Sequence, residues 1–196
     1  MEEQKHISTA FDKDLSELNA MVQKLGSLAI TQFETAIDAL ATQHMETLDH
    51  VISNDAKLDE LEAAINEKAV EVIALRSPHA RDLRQVLVAL KIATILERTG
   101  DYARNIANRT RVIAQAGNEN IPGVNIGRMG QVAQEMLRDV MQAYDGHDAK
   151  LALEVWHRDI EVDHMHTAFY KEVLASMARD PNFVATGAHL LFNFVC

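Results

Sequence analysis

Two acidic residues in the middle of the chain have the spacing of a partial metal site. Glu97 and Asp101 are four residues apart, so on a helix their carboxylates project together, about one turn apart. Hard and borderline metals accept carboxylate oxygens, and such a pair would supply part of a site that needs about six ligands. The alternative is a solvated helix face on which Arg98 or Arg104 neutralises the two acids. The spacing by itself favours this second interpretation.

A second set of candidate ligands lies nearer the carboxyl terminus. Glu154-x-x-His157 and Glu161-x-x-His164 have the spacing found in di-iron carboxylate bundles, where the two motifs lie on different helices and hold the metals between them. Here both motifs fall on one predicted helix, so a histidine-rich solvated face is favoured over a metal-dependent oxidoreductase. The sequence also lacks a nucleophile with its base, a glycine-rich phosphate loop and a dinucleotide fingerprint. A di-iron or other metal-dependent oxidoreductase in a helical bundle therefore stays as the alternative function.

The elements that position these residues are predicted to be helices. With 3 Pro and 8 Gly in 196 residues, the chain has too few turn-forming residues for many short strands. No apolar run approaches the ~18 residues that cross a bilayer, and the only cysteine, Cys196, cannot form an internal disulfide. A net charge of −10 argues against binding to nucleic acid. These features predict an all-α, cytoplasmic protein without direct membrane insertion.

The helical pattern repeats after about 104 residues. Val51, Asp55, Leu58, Asp59, Leu61 and Ile65 fall on Val155, Asp159, Val162, Asp163, Met165 and Phe169. Such a repeat predicts two three-helix bundles in tandem, over residues 1–116 and 126–196, with a linker at 117–125 that is rich in Gly, Pro and Asn. In the first bundle we predict helices over 11–41, 44–75 and 78–116, and Ser77 is predicted to cap the third.

The second bundle is predicted to lack most of its last helix. Only residues 181–196 follow its second helix, whereas the corresponding helix of the first bundle runs over 78–116. Part of the apolar stripes of the neighbouring helices would then be exposed, which is a liability unless another chain covers them. We therefore expect the chain to self-associate through residues 126–196 as a homodimer, or else this half to be loosely packed.

The predicted third helix combines an apolar face with a basic surface. Its core face is assigned to Val88, Ile92, Ile95, Ala103, Ile106 and Ile113, which places Glu97 and Asp101 on the side away from the core. Residues 76–111 carry a charge of +5, so the remainder carries −15. Such an imbalance indicates either a surface that meets a charged partner or a solvated basic face.

The residues around this helix resemble those of a known family. Arg76-Ser-Pro-His-Ala-Arg-Asp-Leu-Arg84, followed by Leu96-Glu-Arg-Thr-Gly-Asp-Tyr-Ala103, resembles the third helix of PhoU, the phosphate-uptake regulator of bacteria. His6-Ile-Ser-x-x-Phe11 and Asn54-Asp-x-x-Leu-Asp59 resemble other parts of the same family, so the resemblance covers nearly the whole chain. The fold of that family, two three-helix bundles, agrees with the repeat.

The resemblance implies a regulator and not an enzyme. PhoU proteins restrain phosphate uptake and the phosphate-starvation response by contact with the sensor kinase PhoR and the transporter ATPase PstB. The basic residues Arg76, Arg81, Arg84 and Arg98 are then candidates for partner binding.

The same resemblance implies a multinuclear iron or zinc cluster at Glu97 and Asp101. A second acidic motif of the family would fall near positions 200 and 204, beyond Cys196. The chain is therefore expected to be a C-terminally truncated member.

Overall fold

The computed structural model describes residues 2–42, 45–115 and 126–193, and these residues are almost entirely helical. The helices are α1 (Glu2–Thr42), α2 (Leu48–Arg76), α3 (Arg81–Gln115), α4 (Ile126–Asp145), α5 (Ala149–Arg179) and α6 (Val184–Asn193), and a short 3-10 helix, Pro181–Phe183, precedes α6. The predicted all-α fold of two repeated three-helix units is confirmed. The predicted linker at 117–125 lies outside the described residues. In the described part of the chain, no helix has both the length and the hydrophobicity that crossing a membrane requires.

The corner between α2 and α3 differs from the prediction that Ser77 caps α3. Ser77 has a left-handed backbone with φ 46°, and its N–H donates to the carbonyl oxygen of Ile73 at 3.0 Å, so it ends α2. Pro78 follows and has no N–H with which to continue that helix. Ala80 is also left-handed, with φ 47°, and α3 therefore begins only at Arg81.

Helices α1 and α4 pack against each other through two equivalent contacts. Gly26 of α1 packs against Met141 of α4, and Gly130 of α4 packs against Ile37 of α1. Gly130 and Met141 follow Gly26 and Ile37 by 104 residues, the repeat distance of the sequence. The two repeats therefore face each other across an approximate two-fold axis, as subunits do in a symmetric dimer.

The core continues across this axis. One cluster of buried side chains includes residues from every helix, among them Leu40, Val51, Ile106, Ile126, Phe169 and Leu190. Glu34 and Arg138, again 104 residues apart, form an ion pair at 3.0 Å between α1 and α4. The two repeats thus share their packing, and the division at 116 and 126 stays a prediction.

The core face of α3 is only partly the predicted one. Ile106 and Ile113 are buried, but Val88 is 45% exposed and Ile95 is 63% exposed. The inward positions of the amino-terminal half belong to a neighbouring stripe of Val86, Ala89, Ala93, Leu96 and Gly100. Helices α1 and α2 cover that stripe along its length, whereas the predicted face is covered only near its carboxyl end, where α6 packs on α3. The assignment of Val88 and Ile95 to the core was therefore wrong.

Candidate acidic metal centre and basic surface

Helices α2 and α3 run antiparallel, and their register gathers carboxylates from both. Leu58 of α2 packs on Gly100 of α3. One turn away, the Thr94 hydroxyl of α3 donates to Glu62 Oε1 of α2 at 3.2 Å. The five carboxylates along this contact are named here the acidic seam: Asp55, Asp59, Glu62, Glu97 and Asp101. The seam joins the predicted pair on α3 to three acids of α2.

The negative charges of the other four seam carboxylates act on Glu97. Partial burial is the largest cause that raises the pKa of Glu97, and the charges of Asp101, Asp59, Glu62 and Asp55 raise it further. Ionisation of Glu97 is therefore less favourable here than in water, and any cation that enters the seam would favour the ionised form.

Arg104 supplies positive charge at one end of the seam. Its guanidinium forms an ion pair with Asp55 and a second one with Asp101 at 2.7 Å. Asp55 is only 7% exposed, and this burial raises its pKa although the hydrogen bond from Arg104 opposes the shift. The pairing of Arg104 with Asp101 is the one that the sequence suggested as the alternative to metal binding.

Glu97 and Asp101 are placed differently from the expectation, and Gly100 between them shows why. Gly100 is buried, and a Cβ added there would collide with Leu58 Cδ1, so its missing side chain permits close helix packing. Glu97 and Asp101 are half-buried at the α2 contact, not on the side of α3 opposite the core. Because α2 packs beside them, Glu97 and Asp101 are part of the acidic seam and not an isolated surface pair.

The acidic seam has ligand atoms of the type that metals bind, but its side chains are not arranged around a single ion. Carboxylate oxygens suit hard and borderline cations. Yet within the described ranges no three His, Cys, Asp or Glu side chains form a group able to hold one ion, and Arg104 occupies two of the carboxylates. Asp55 and Asp59 were missed as ligand candidates, although their i, i+4 spacing is that of Glu97 and Asp101 and would have identified them.

The four candidate arginines do not form one cluster. Arg76 is tied to Asp14 at 2.8 Å, and this hydrogen bond is the largest cause that lowers the pKa of Asp14. Arg81 and Arg84 are exposed in the first turns of α3, and Arg98 is exposed with its guanidinium 5.5 Å from the centre of the Tyr102 ring. Three of the four are therefore accessible to a partner.

Arg81 and Arg84 border a long groove between α3 and the corner of α4 and α5. Its volume is about 760 Å³, and its walls are mostly apolar, with Val88 and Ile95 on one side and Val140 on the other. We name it the α3/α4 groove. Sequence reasoning missed it because it lies between helices that are distant in the chain.

The histidine motifs lie as the alternative interpretation predicted. Glu154, His157, Glu161 and His164 are all on α5 and all exposed. Their side chains face solvent and not one another across a bundle. This arrangement does not favour a di-iron site.

A family model described as "PhoU domain" matches the chain twice, at residues 22–110 and 126–193. Among curated proteins, the "Phosphate-specific transport system accessory protein PhoU homolog" of Caulobacter vibrioides is 38% identical over 187 residues, which are 95% of this chain and 81% of that relative. The protein of the same name from Zymomonas mobilis is 35% identical over 95% of this chain and 78% of its own length.

Two solved structures have the same fold. The crystal structure of PhoU from Pseudomonas aeruginosa superposes with a TM-score of 0.90 at 27% identity, over 93% of this chain and 88% of that one. The phosphate transport system regulatory protein PhoU from Streptococcus pneumoniae gives a TM-score of 0.84 at 27% identity, over 93% and 86% of the two chains.

Proposed function

Because the chain belongs to the PhoU family, we propose that it is a negative regulator of phosphate uptake and of the phosphate-starvation response, acting through protein contacts without catalysing a reaction. The curated relatives are named accessory proteins of phosphate-specific transport, which supports a regulatory role in phosphate transport. The structural observation that carries the proposal is the exposed basic surface of α3 on a protein whose net charge is −10.

The partner surface is assigned to the solvent side of α3. Arg84, Lys91 and Arg98 are exposed at intervals of seven residues, which is close to two helical turns, so they form a basic stripe. Arg81 extends this stripe at the amino end, whereas Arg76 is held by Asp14 and fixes the α2–α3 corner. The proposed partners are a PhoR-type sensor kinase and a PstB-type transporter ATPase, met in the cytoplasm through acidic surfaces.

Charge reversal tests this surface. Arg81→Glu with Arg84→Glu should weaken binding to the purified ATPase and to the cytoplasmic part of the kinase, and should reduce the salt dependence of binding, because exposed charges are screened over ~8 Å at physiological salt. Lys13→Glu with Lys24→Glu on α1 is the matched control, since it makes the same charge change at two exposed positions of another helix. Unchanged affinity and salt dependence, or an equal loss in the control, would contradict the proposal.

Metal binding at the acidic seam is the second part of the proposal. Glu97 and Asp101, joined by Asp55 and Asp59 of α2, would hold iron or zinc in a multinuclear cluster. Burial and, after it, the repulsion of the neighbouring carboxylates raise the pKa of Glu97, and the positive charge of the metal would act against both. Arg104 would have to leave its two carboxylates, so metal and guanidinium are alternative counter-ions of the seam.

Elemental analysis tests the seam. After loading with iron or zinc and dialysis, Glu97→Gln with Asp101→Asn should lose the metal while circular dichroism shows unchanged helix content. The matched control, Asp159→Asn with Asp163→Asn, removes the same charge from exposed positions of α5 and should keep the metal. If the seam variant retains metal at the parental stoichiometry, the site lies elsewhere, and the control variant shows whether it lies on α5.

Self-association of the chain stays a prediction, and sedimentation can test it directly. The exposed apolar side chains of α5, Leu153, Trp156 and Ile160, are the surface we assign to a homodimer. Sedimentation at two protein concentrations should show the dimer, and Trp156→Glu should shift it to monomer.

A further inference from the structure

Helix α5 has an exposed face that carries both apolar and titratable side chains. Its six residues project within about 120° of the helix circumference, at ~100° per residue. We name them the α5 outer face: Leu153, Glu154, His157, Ile160, Glu161 and His164. Leu153 and Ile160 are each 58% exposed, so no described residue covers them.

The corresponding face of α2 shows that this side of the helix points away from the bundle. The residues 104 positions earlier include Asp49, Ser53, Ala56 and Lys57, and they are also exposed although the long helix α3 packs on α2. In α2 these positions hold charged or small side chains. The large apolar side chains of the α5 outer face therefore have no part in the packing of the repeat, and they indicate an interaction surface.

The four titratable residues of the α5 outer face make it complementary to itself. Toward the carboxyl end their order is Glu, His, Glu, His, at spacings of three, four and three residues. In the opposite direction the order is His, Glu, His, Glu at the same spacings. An antiparallel second copy, centred at the level of residue 159, therefore places Glu154 opposite His164 and His157 opposite Glu161. A parallel copy in register would place each carboxylate opposite another carboxylate, which is unfavourable.

Each of these pairs joins a hydrogen-bond donor to an acceptor. An imidazole N–H donates to a carboxylate oxygen, and such a bond is strengthened by the charge of the carboxylate. Among the described residues, the one ion pair that involves the four is Lys150 with Glu154, at 3.6 Å and exposed, so this partner is readily exchanged. Ile160 lies one residue from the centre and would pack on Ile160 of the second copy.

We propose that two copies of the chain associate through their α5 outer faces, packed antiparallel about a two-fold axis, with each Glu of one copy bonded to a His of the other. This inference rests on the homodimer proposed above and adds the orientation of the helices and the residues that pair. A second copy is the occupant because it always presents the same pattern in reverse. A two-fold interface of this kind is closed, so association stops at the dimer.

Charge exchange within α5 tests the pairing. Glu154→Lys with Glu161→Lys should weaken self-association about tenfold or more, because an ammonium group then lies opposite each imidazole. His157→Glu with His164→Glu should do the same by placing carboxylates opposite carboxylates. All four substitutions in one chain should return the dissociation constant to within about threefold of the parent value, because each introduced ammonium group then lies opposite an introduced carboxylate. A parallel arrangement predicts no such recovery.

Sedimentation and the fluorescence of Trp156 measure the association. Trp156 is the only tryptophan of the chain, borders the α5 outer face, is 68% exposed and lies against His157, with ring centroids 5.0 Å apart. Its emission should therefore move to shorter wavelength as the dimer forms. Glu60→Lys with Glu67→Lys is the matched control, since it makes the same charge change, seven residues apart, at exposed positions of α2, and it should leave the dimer intact. EDTA is present throughout, so that no metal bridges Glu and His.

The outcomes separate this inference from the homodimer on which it rests. If Trp156→Glu dissociates the dimer but the variant with all four substitutions does not recover it, the antiparallel pairing is overturned and the homodimer stands. A parent chain that stays monomeric overturns both. An equal loss of association in the control variant, or a dimer that forms only without EDTA, also overturns the pairing.

Discussion

Replacing Arg104 with methionine should destabilise the protein in a way that depends on pH. The substitution keeps most of the side-chain volume but removes the guanidinium that pairs with Asp55 and Asp101. Asp55 then remains in the α2–α3 contact, almost fully buried, beside the other carboxylates of the acidic seam and without its cation.

The expected loss of stability follows from how exposed Asp55 and Arg104 are. Removing one member of a fully buried ion pair costs about 3–5 kcal/mol, and an exposed pair contributes about 0–1 kcal/mol. Asp55 is 7% exposed but the Arg104 side chain is 34% exposed, which places this pair between the two limits. We expect a loss of about 2 kcal/mol at pH 7, or a decrease in Tm of about 4–8 °C for a chain of this size.

The pH dependence has a defined sign. The pKa of Asp55 in the folded protein is already raised by burial, and loss of Arg104 raises it further. A carboxyl whose folded pKa lies above its unfolded value destabilises the fold when it is ionised, and protonation relieves this as pH falls through the folded pKa. The difference in Tm between Arg104→Met and the parent, followed by circular dichroism, should therefore shrink as pH is lowered from about 7 toward about 4, near the ordinary pKa of aspartate.

A double variant separates the effect of the unpaired Asp55 carboxylate from a general disturbance of packing by the substitution. Asp55→Asn with Arg104→Met removes both charges and should recover at least half of the lost stability at pH 7, because the buried carboxylate is then absent. If the double variant is no more stable than Arg104→Met, or if the deficit is the same at every pH, the assignment of Arg104 as the counter-ion of the seam is refuted.

Three further predictions concern stability and are checked by thermal melts. Gly130→Ala should destabilise by about 1–2 kcal/mol because its Cβ would collide with α1, whereas Gly127→Ala, with space for the Cβ, should stabilise by up to about 1 kcal/mol. Gln32→Met should stabilise by about 1 kcal/mol, since its buried amide has no hydrogen-bond partner among the described residues. Asp14→Asn should lower the Tm at pH 7 but not at a pH where this carboxyl is protonated in both states, because the hydrogen bond from Arg76 lowers the pKa of Asp14.

The fold was predictable because its signals are periodic and local. Apolar spacing predicted the helices, Pro78 marked the corner, and the 104-residue repeat predicted two related halves. The error over Val88 and Ile95 has a physical reason. Periodicity identifies an apolar face, but it does not say which neighbour covers that face or how far along the helix the cover extends.

The site was predictable only in part because it depends on register between helices. The i, i+4 spacing identified Glu97 and Asp101, yet their burial is set by α2, whose Asp55 reaches the same contact only after the antiparallel packing of Leu58 on Gly100. The two competing interpretations of this pair, metal ligands or partners of Arg104, are both physically reasonable from spacing. The structure shows that Arg104 pairs with Asp101 and with Asp55, and so occupies two of the carboxylates that a metal in the seam would use.

The second repeat contains counterparts of two residues of the acidic seam. Asp159 and Asp163 are the counterparts of Asp55 and Asp59, but they lie exposed on α5, because no described residue faces them as α3 faces α2. Burial raises the pKa of Asp55, and the ordering of an acidic seam therefore requires an opposing helix as well as acidic residues.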